Sequence, residues 1–211
     1  MEDLKQIQEF KDWLGTGSIN LFGSPYTGKD TQGKRLAELF DAPLIGSGDI
    51  LRNAEIPTNV KEIMQAGKLV PSEDFTRIIL PYLSQPELKD KPLILSSVGR
   101  WSGEEVGVIE ALEQSGHELK AVVVLNIPEE DVWERWRKAN ELHDRGERQD
   151  DSGEELIKTR LEEFRTKTLP VLSYYRQMGI LLEVDGTNDR DTVEHDIIAK
   201  LLEFSKEASD E

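Results

Sequence analysis

A glycine-rich loop between an apolar run and a helical pattern is the feature that most constrains the fold of this chain. Residues 18–22 are mostly apolar and predict a buried strand, and residues 32–40 predict a helix. Between them, Gly23 and Gly28 are separated by four residues, and Lys29 follows directly. Glycines allow backbone N–H groups to turn inward around phosphate oxygens, the start of a helix adds partial positive charge, and a lysine supplies an ammonium group. The strand and helix on either side favour a phosphate-binding loop over a chance glycine loop.

The loop departs from the general phosphate-loop pattern at one position. Ser or Thr usually follows the lysine, but this chain has Asp30 there and Thr31 one place later. The residues that we expect to surround the phosphates are Gly23, Pro25, Tyr26, Thr27, Gly28, Lys29, Asp30 and Thr31.

Length and charge exclude several classes of protein. With 211 residues and 37% hydrophobic content, the chain is long and apolar enough to bury a core as one domain with small insertions. The formal net charge of −16 argues against a nucleic-acid partner, because binding a phosphate backbone requires a broad basic face. A small phosphate ligand therefore needs a locally positive pocket in an acidic protein.

The absence of cysteine limits the chemistry further. Without cysteine the chain has no disulfide, no thiolate metal ligand and no cysteine nucleophile, so a metal must come with oxygen ligands. The histidines are too scattered along the chain to predict a zinc site: His117, His143 and His195. Because there is no run of about 18 apolar residues and no basic-then-apolar start, we expect a cytoplasmic protein without a membrane partner.

The remaining patterns alternate strands and helices. Helical spacing covers residues 1–14, 153–178 (interrupted by Pro170) and 191–204, and helices are expected to open at Pro57, Pro71 and Pro128. Strand patterns cover residues 42–45, 91–96, 121–125 and 180–184. This order predicts an α/β fold, in which a five-stranded parallel sheet lies between two layers of helices.

A second motif connects the phosphate loop to a known family. Residues 46–52 read G-S-G-D-I-L-R, which resembles the S-T-G-D-M-L-R motif of the adenylate kinase family of nucleoside monophosphate kinases. The family's loop, G-x-P-G-S-G-K-G-T-Q, matches at Gly23, Pro25, Gly28, Lys29, Thr31 and Gln32. Further similar segments follow in the family's order at 60–71, 148–151, 160–161, 174–179 and 184–187. The resemblance therefore covers nearly the whole chain.

The resemblance implies reversible phosphoryl transfer from ATP, with Mg²⁺, to AMP by a monomer. It places the catalytic role on Lys29, Arg100, Arg148 and Arg160, and it adds Arg135 on the adenine or ribose side of ATP. The implied residues for the monophosphate are Ser47, Gly48, Arg52, Val70, Arg100 and Glu104. It also divides the chain into a core (1–45, 78–137 and 153–211), a monophosphate-binding insert (46–77) and a short lid (138–152) that is expected to lack zinc. Where the family has a further lid arginine, this chain has Ala139, and Arg145 is the candidate replacement.

One departure from the family concerns the metal. The family has Asp-Gly-Phe-Pro-Arg after the strand at 91–96, whereas this chain has Ser96-Ser97-Val98-Gly99-Arg100. A carboxylate that would help to hold hydrated magnesium is therefore replaced by Ser96. Asp49 is available for that role through water. Asp30 is either a local substitute or a group that weakens nucleotide binding.

A second departure concerns the acceptor base. The family places a glutamine that reads adenine four residues after Arg100, and this chain has Glu104. An ionised carboxylate only accepts hydrogen bonds, so one interpretation is a preference for guanine, which offers two donors. The other is an acid in the first helical turn, stabilised by the helix dipole.

Two alternatives to an AMP kinase stay open. One is a kinase of the same architecture for UMP, CMP or GMP. The other is a nucleotide-binding protein of this fold with little or no kinase activity, which the departures at Tyr26, Asp30 and Ser96 would permit. The retained cations favour activity: Lys29, Arg52, Arg100, Arg148 and Arg160.

Overall fold

Five parallel strands form the centre of the protein. The computed structural model describes residues 2–53, 56–142 and 153–210. The strands are β1 (Ser18–Gly23), β2 (Leu44–Gly46), β3 (Leu93–Ser96), β4 (Leu119–Asn126) and β5 (Leu181–Asp185). Their order in the sheet is β2-β3-β1-β4-β5, and every neighbouring pair is parallel. The predicted α/β fold with a five-stranded parallel sheet is confirmed.

Helices connect the strands and cover both faces of the sheet. They are α1 (Glu2–Leu14), α2 (Lys29–Phe40), α3 (Ser47–Asn53), α4 (Thr58–Gln65), α5 (Ser72–Ile78), α6 (Glu104–Gln114), α7 (Glu129–Leu142), α8 (Glu154–Glu163), α9 (Leu169–Gln177) and α10 (Arg190–Asp210). Two 3₁₀ turns, Leu80–Ser84 and Pro86–Leu88, lead into β3, and a π-helical turn, Phe164–Thr168, joins α8 to α9. None of the described helices is both long and apolar enough to cross a membrane.

Alternating strand residues divide the core into two layers. Side chains at successive positions of a strand point to opposite faces of the sheet. On one face, the strands pack with α1, α2 and α10 through residues that include Leu14, Ile19, Leu21, Leu36, Val123 and Ile197. On the other face, they pack with α3, α4, α5, α6 and α9 through residues that include Phe22, Val60, Phe75, Leu95, Val108, Val124 and Tyr175. The sheet is therefore buried on both sides, as parallel sheets require.

Residues 153–178 do not form one regular α-helix in the structure. The predicted interruption at Pro170 lies just before that residue, in the π-helical turn, and Pro170 itself belongs to the first turn of α9. A proline has no N–H, and its ring clashes with the carbonyl four residues earlier, so regular α geometry cannot run through it. The wider turn places Phe164 and Thr168 on the wall of the main cleft.

Candidate active site

The main cleft lies at the carboxyl ends of β1, β2 and β3. Its walls come from the phosphate loop, the start of α3, residues 67–70, the segment after β3, and α8. In a parallel sheet, ligands meet this edge because the loops and helix N-termini gather there. The cleft brings together most of the residues predicted for the site: Lys29, Asp30, Ser47, Gly48, Arg52, Val70, Arg100, Glu104 and Arg160.

The phosphate loop is compact, and two of its residues show why. A Cβ atom at Gly23 would lie 2.4 Å from the Thr27 Oγ1 atom, so the loop closes only with glycine there. Helix α2 begins at Lys29, directly after Gly28, which has φ +91°. The N–H groups in the first turn of α2 therefore face the cleft directly.

Tyr26 has the left-handed backbone conformation that the loop requires. Its φ is +65°, a region that bulky residues rarely adopt. The side chain is buried in a third apolar cluster, with Val132 of α7 and with Ile157 and Leu161 of α8. Burial of the ring therefore compensates for the backbone strain and fastens the loop to the two helices that flank residues 143–152.

Asp30 lies between the loop and the end of β3. Its Oδ1 atom accepts hydrogen bonds from Lys29 Nζ at 2.8 Å and from Ser96 Oγ at 2.9 Å. Ser96 is buried at the carboxyl end of β3. Ser96, which stands where the family has an aspartate, thus binds the carboxylate of Asp30.

Arg100 is a half-buried cation that lines the cleft. Its Nε atom donates to the Ser97 carbonyl oxygen at 3.3 Å. Burial lowers the pKa of the Arg100 guanidinium, and nearby Arg160 also lowers it, whereas the carboxylates of Asp30 and Glu104 act in the opposite direction. Asp30, Glu104 and Arg160 therefore lie within electrostatic reach of Arg100.

Arg52 and Asp49 form an ion pair on α3. The Arg52 Nη2 and Asp49 Oδ1 atoms are 2.6 Å apart. A Cβ atom at Gly48 would lie 3.2 Å from the Arg52 Nη1 atom, so glycine leaves the room that the guanidinium occupies. The Asp49 carboxylate, predicted as a ligand to magnesium through water, is thus engaged with Arg52 in this structure.

Glu104 is the first residue of α6, and its carboxylate is buried. One oxygen accepts a hydrogen bond from Ser72 Oγ at 2.8 Å, and the other accepts from the backbone N–H groups of Arg100 at 2.8 Å and Trp101 at 3.0 Å. Loss of hydration raises the pKa of the Glu104 carboxyl, although these hydrogen bonds oppose the effect. The carboxylate thus holds the Arg100 backbone while lining the cleft, and its part in base recognition stays a prediction.

The segment after β3 is held by side chains from two other elements. Ser47 Oγ donates to the Ser97 carbonyl oxygen at 2.9 Å, and Asn20 Nδ2 donates to the Val98 carbonyl oxygen at 2.8 Å. The predicted contact of Ser47 with the monophosphate would therefore use the oxygen lone pairs of its hydroxyl. Asn20 is a buried polar residue on a central strand, a signal from which its role could have been predicted.

Glu163 is a site residue that the sequence reasoning missed. Its Oε2 atom accepts from the Leu69 backbone N–H at 2.8 Å and from Lys167 Nζ at 2.5 Å. The Lys167 ammonium lies 3.9 Å from the centre of the Trp101 ring. Glu163 thus fastens the backbone beside Val70 to α8, one turn after Arg160. The i, i+3 spacing of Arg160 and Glu163 was the available signal.

Arg135 contacts the backbone of the phosphate loop. Its guanidinium donates to the carbonyl oxygens of Tyr26 (3.4 Å), Thr27 (3.3 Å), Gly186 (2.7 Å) and Thr187 (3.2 Å). It thereby joins the loop to the segment after β5, and the guanidinium is satisfied by backbone. A second cleft beside it is lined by Gln32, Lys138, Ala139, Asn188 and Arg190, among others. The placement of Arg135 on the adenine or ribose side of ATP stays a prediction.

Two predicted lid residues, Arg145 and Arg148, lie outside the described residues, as does most of the predicted lid. In the part of the chain that is described, no group of three or more His, Asp or Glu residues is arranged to hold a metal ion.

Comparison with known proteins agrees with this geometry. Residues 21–180 match the sequence model of the family described as adenylate kinase. The chain is 32% identical to an adenylate kinase of Archaeoglobus fulgidus, over 87% of this chain and 97% of that protein. It is 36% identical to an adenylate kinase of Methylobacterium nodulans (83% and 91%) and 32% identical to that of Thermus thermophilus (83% and 92%). With a matched family model over most of its length and relatives covered almost end to end, the chain belongs to the adenylate kinase family.

Proposed function

We propose that this protein is an ATP-dependent nucleoside monophosphate kinase that transfers a phosphoryl group reversibly between ATP and AMP. One observation carries the proposal: a single cleft joins a phosphate loop carrying Lys29 to the three arginines Arg52, Arg100 and Arg160. These cations come from four separate elements of a chain with a net charge of −16. Such a concentration of positive charge suits two phosphate groups that meet end to end.

The residues divide into donor and acceptor sides. Lys29 and the N–H groups of the loop would hold the β- and γ-phosphates of ATP, and Arg52 and Arg100 would hold the phosphate of AMP. Arg160, together with Arg148, would neutralise the charge on the transferring group. Phosphoryl transfer of this kind needs alignment and charge neutralisation rather than a covalent enzyme intermediate.

We also propose that the insert, residues 46–77, closes over the core; most of the predicted lid, 138–152, lies outside the described residues. Closure would exclude water from the transferring group and complete the set of arginines. The hydrogen bond from Leu69 to Glu163 supports this proposal, because it joins the insert to α8 on the wall of the cleft.

The donor set of the cleft fits magnesium. Carboxylate and hydroxyl oxygens are the ligands that Mg²⁺ prefers, and the ion is commonly bound by one or two carboxylates together with substrate phosphates and waters. Asp30, with Ser96 beside it, provides such oxygens next to the loop. When bound with ATP, the ion would supply charge neutralisation and orientation of the phosphates.

The second candidate function is a kinase for GMP, and Glu104 is the observation that favours it. Its buried carboxylate lines the cleft together with Arg52 and Arg100, and guanine offers that carboxylate two donors.

The test is ATP-dependent formation of nucleoside diphosphate with AMP, GMP, CMP and UMP supplied separately, with Mg²⁺ and with excess chelator. We expect AMP to be the preferred acceptor and chelation to abolish turnover. Preference for GMP would establish the second candidate, and ATP binding without turnover of any acceptor would overturn both.

Arg52 offers a matched control for the site itself. Arg77 forms the same i, i+3 ion pair with Asp74 at 2.6 Å on α5, outside the cleft. Arg52→Ala should reduce kcat/KM for AMP by about a hundredfold or more, whereas Arg77→Ala should leave it nearly unchanged. Equal effects of the two substitutions would contradict the placement of the acceptor phosphate.

A further inference from the structure

The Asp30 carboxylate is held in one orientation by two elements. Ser96 Oγ donates to its Oδ1 atom at 2.9 Å across 66 residues of sequence, and Lys29 Nζ lies 2.8 Å from the same atom. Ser96 is only 6% exposed at the end of β3. Its hydrogen bond therefore restricts the rotamers of an acid in the first turn of α2.

A carboxylate at this position is unfavourable for a phosphate site taken alone. Asp30 directly follows the lysine of the loop, where the phosphates of the donor nucleotide would lie, and like charges repel at this range. It also lines the same cleft as Arg100, and its charge acts to raise the pKa of that guanidinium. The carboxylate therefore lies near the phosphates that the loop and Arg100 would hold.

A hydrated cation between the carboxylate and the phosphates removes the conflict. Magnesium keeps several of its waters and accepts carboxylates as partners while it binds phosphate oxygens. Asp49, the other candidate, lies on α3 and pairs with Arg52, and its side chain is 62% exposed, against 45% for Asp30. Asp30 adjoins the loop and is fixed by Ser96, so it is better placed for the metal of the donor nucleotide.

We propose that Asp30, positioned by Ser96, accepts a hydrogen bond from water on the magnesium ion that accompanies ATP, and so makes this protein selective for the magnesium complex over free ATP. The inference rests on the proposed function, since it assumes that ATP binds at the loop. Where the family has an aspartate at the end of β3, this chain has Ser96, and the carboxylate that Ser96 binds belongs to Asp30 at the start of α2.

The test is the affinity for ATP, measured by isothermal titration calorimetry with Mg²⁺ and with excess chelator. In the natural protein, Mg²⁺ should strengthen ATP binding by about tenfold or more. Asp30→Asn should strengthen binding of free ATP and weaken binding of the magnesium complex, so that the ratio of the two affinities falls towards one. Ser96→Ala should lower the ratio partly, because the carboxylate is kept but loses its hydrogen bond.

Glu118→Gln is the matched control. Glu118 also pairs with a nearby lysine, Lys120, at 3.0 Å, but it precedes β4, at the opposite end of the strands from the cleft. Its substitution removes one negative charge without touching the site, so the ratio of affinities should not change. Thermal unfolding of each variant verifies that it is folded.

A double substitution tests the position of the carboxylate directly. Asp30→Gly alone should lose the dependence on Mg²⁺, and Asp30→Gly combined with Ser96→Asp should restore it, because the charge returns to the same place from the other element.

A different result would overturn the inference. If Asp30 only held Lys29 away from phosphate, Asp30→Asn would strengthen binding by the same factor with and without Mg²⁺. Unchanged metal dependence in Asp30→Asn, in a protein whose natural form phosphorylates AMP, would refute the inference while leaving the proposed function intact. Failure of the natural protein to bind ATP would instead refute the proposed function.

Discussion

The hydroxyl of Ser72 donates a 2.8 Å hydrogen bond to the buried carboxylate of Glu104. This contact joins α5, between β2 and β3, to the start of α6, after β3. The same carboxylate holds the backbone N–H of Arg100. The position of Arg100 therefore depends on an acid that is itself bound to α5.

Glu104→Gln should stabilise the protein near neutral pH. The glutamine oxygen can still accept from the backbone, and its NH₂ group can donate to Ser72. Burial raises the pKa of the Glu104 carboxyl in the folded state, so this carboxyl binds a proton more readily in the folded protein than in the unfolded protein. Its contribution to the free energy of unfolding therefore falls as pH rises through the folded pKa. The advantage of the glutamine variant should be largest above that pKa and disappear below the unfolded value. Urea unfolding at several pH values measures it.

Glu110→Gln is the control, because it removes a negative charge from an exposed position of the same helix. If both variants gained the same stability at every pH, burial of the Glu104 charge would not be the cause. In the kinase assay, Glu104→Gln should shift the ratio of kcat/KM towards AMP and away from GMP.

Tyr26→Gly should be more stable than Tyr26→Ala, which reverses the usual order of these residues. Both variants lose burial of the ring, worth about 3 kcal/mol or more, but only glycine removes the cost of φ +65°, about 1 kcal/mol or more for a left-handed residue. Free energies of unfolding from urea titration provide the comparison. An alanine variant as stable as the glycine variant would mean that the backbone relaxes instead.

Arg135→Ala should weaken ATP binding while leaving AMP binding nearly unchanged. The guanidinium holds four carbonyl oxygens that lie in the loop and in the segment after β5. Its loss should raise KM for ATP by about tenfold. Arg135→Lys should not rescue it, since an ammonium cannot reproduce the fork of donors.

Arg137→Ala serves as the control for Arg135, because Arg137 is exposed on the same helix. Steady-state kinetics with each substrate varied in turn give the two KM values. An equal rise in both would show that the whole cleft had been disturbed, contrary to a role on the donor side.

Glu163→Ala should raise KM for AMP with little change for ATP. The carboxylate holds the Leu69 N–H and the ammonium of Lys167, so its removal frees the insert backbone beside Val70 from α8. We expect about a tenfold effect, the scale of one charge-assisted hydrogen bond. Glu162→Ala, at the exposed neighbouring position, should show no such effect. Loss of kcat alone, with both KM values unchanged, would contradict this role.

Local patterns were sufficient to predict the fold. Alternation of apolar runs with helical spacing predicted the five parallel strands, and the glycines before Lys29 predicted a turn into a helix, because both signals depend on neighbouring residues. The helix at 47–53 was not predicted as a separate element, since its seven residues contain too few turns for a periodic signal. The π-helical turn before Pro170 was also missed, because its exact geometry depends on packing against the core.

The sequence by itself determined the chemistry of the site: a loop that can surround phosphate, and arginines in the order of the family. Only the tertiary structure decided which groups meet. Ser96 and Asp30 are 66 residues apart, Ser72 and Glu104 are 32 apart, and Leu69 and Glu163 are 94 apart. No local pattern encodes such pairs. The first two pairs arise because the sheet order β2-β3-β1 brings the carboxyl ends of three strands, and the segments after them, to one edge. The third depends on α8, which follows β4 in the chain.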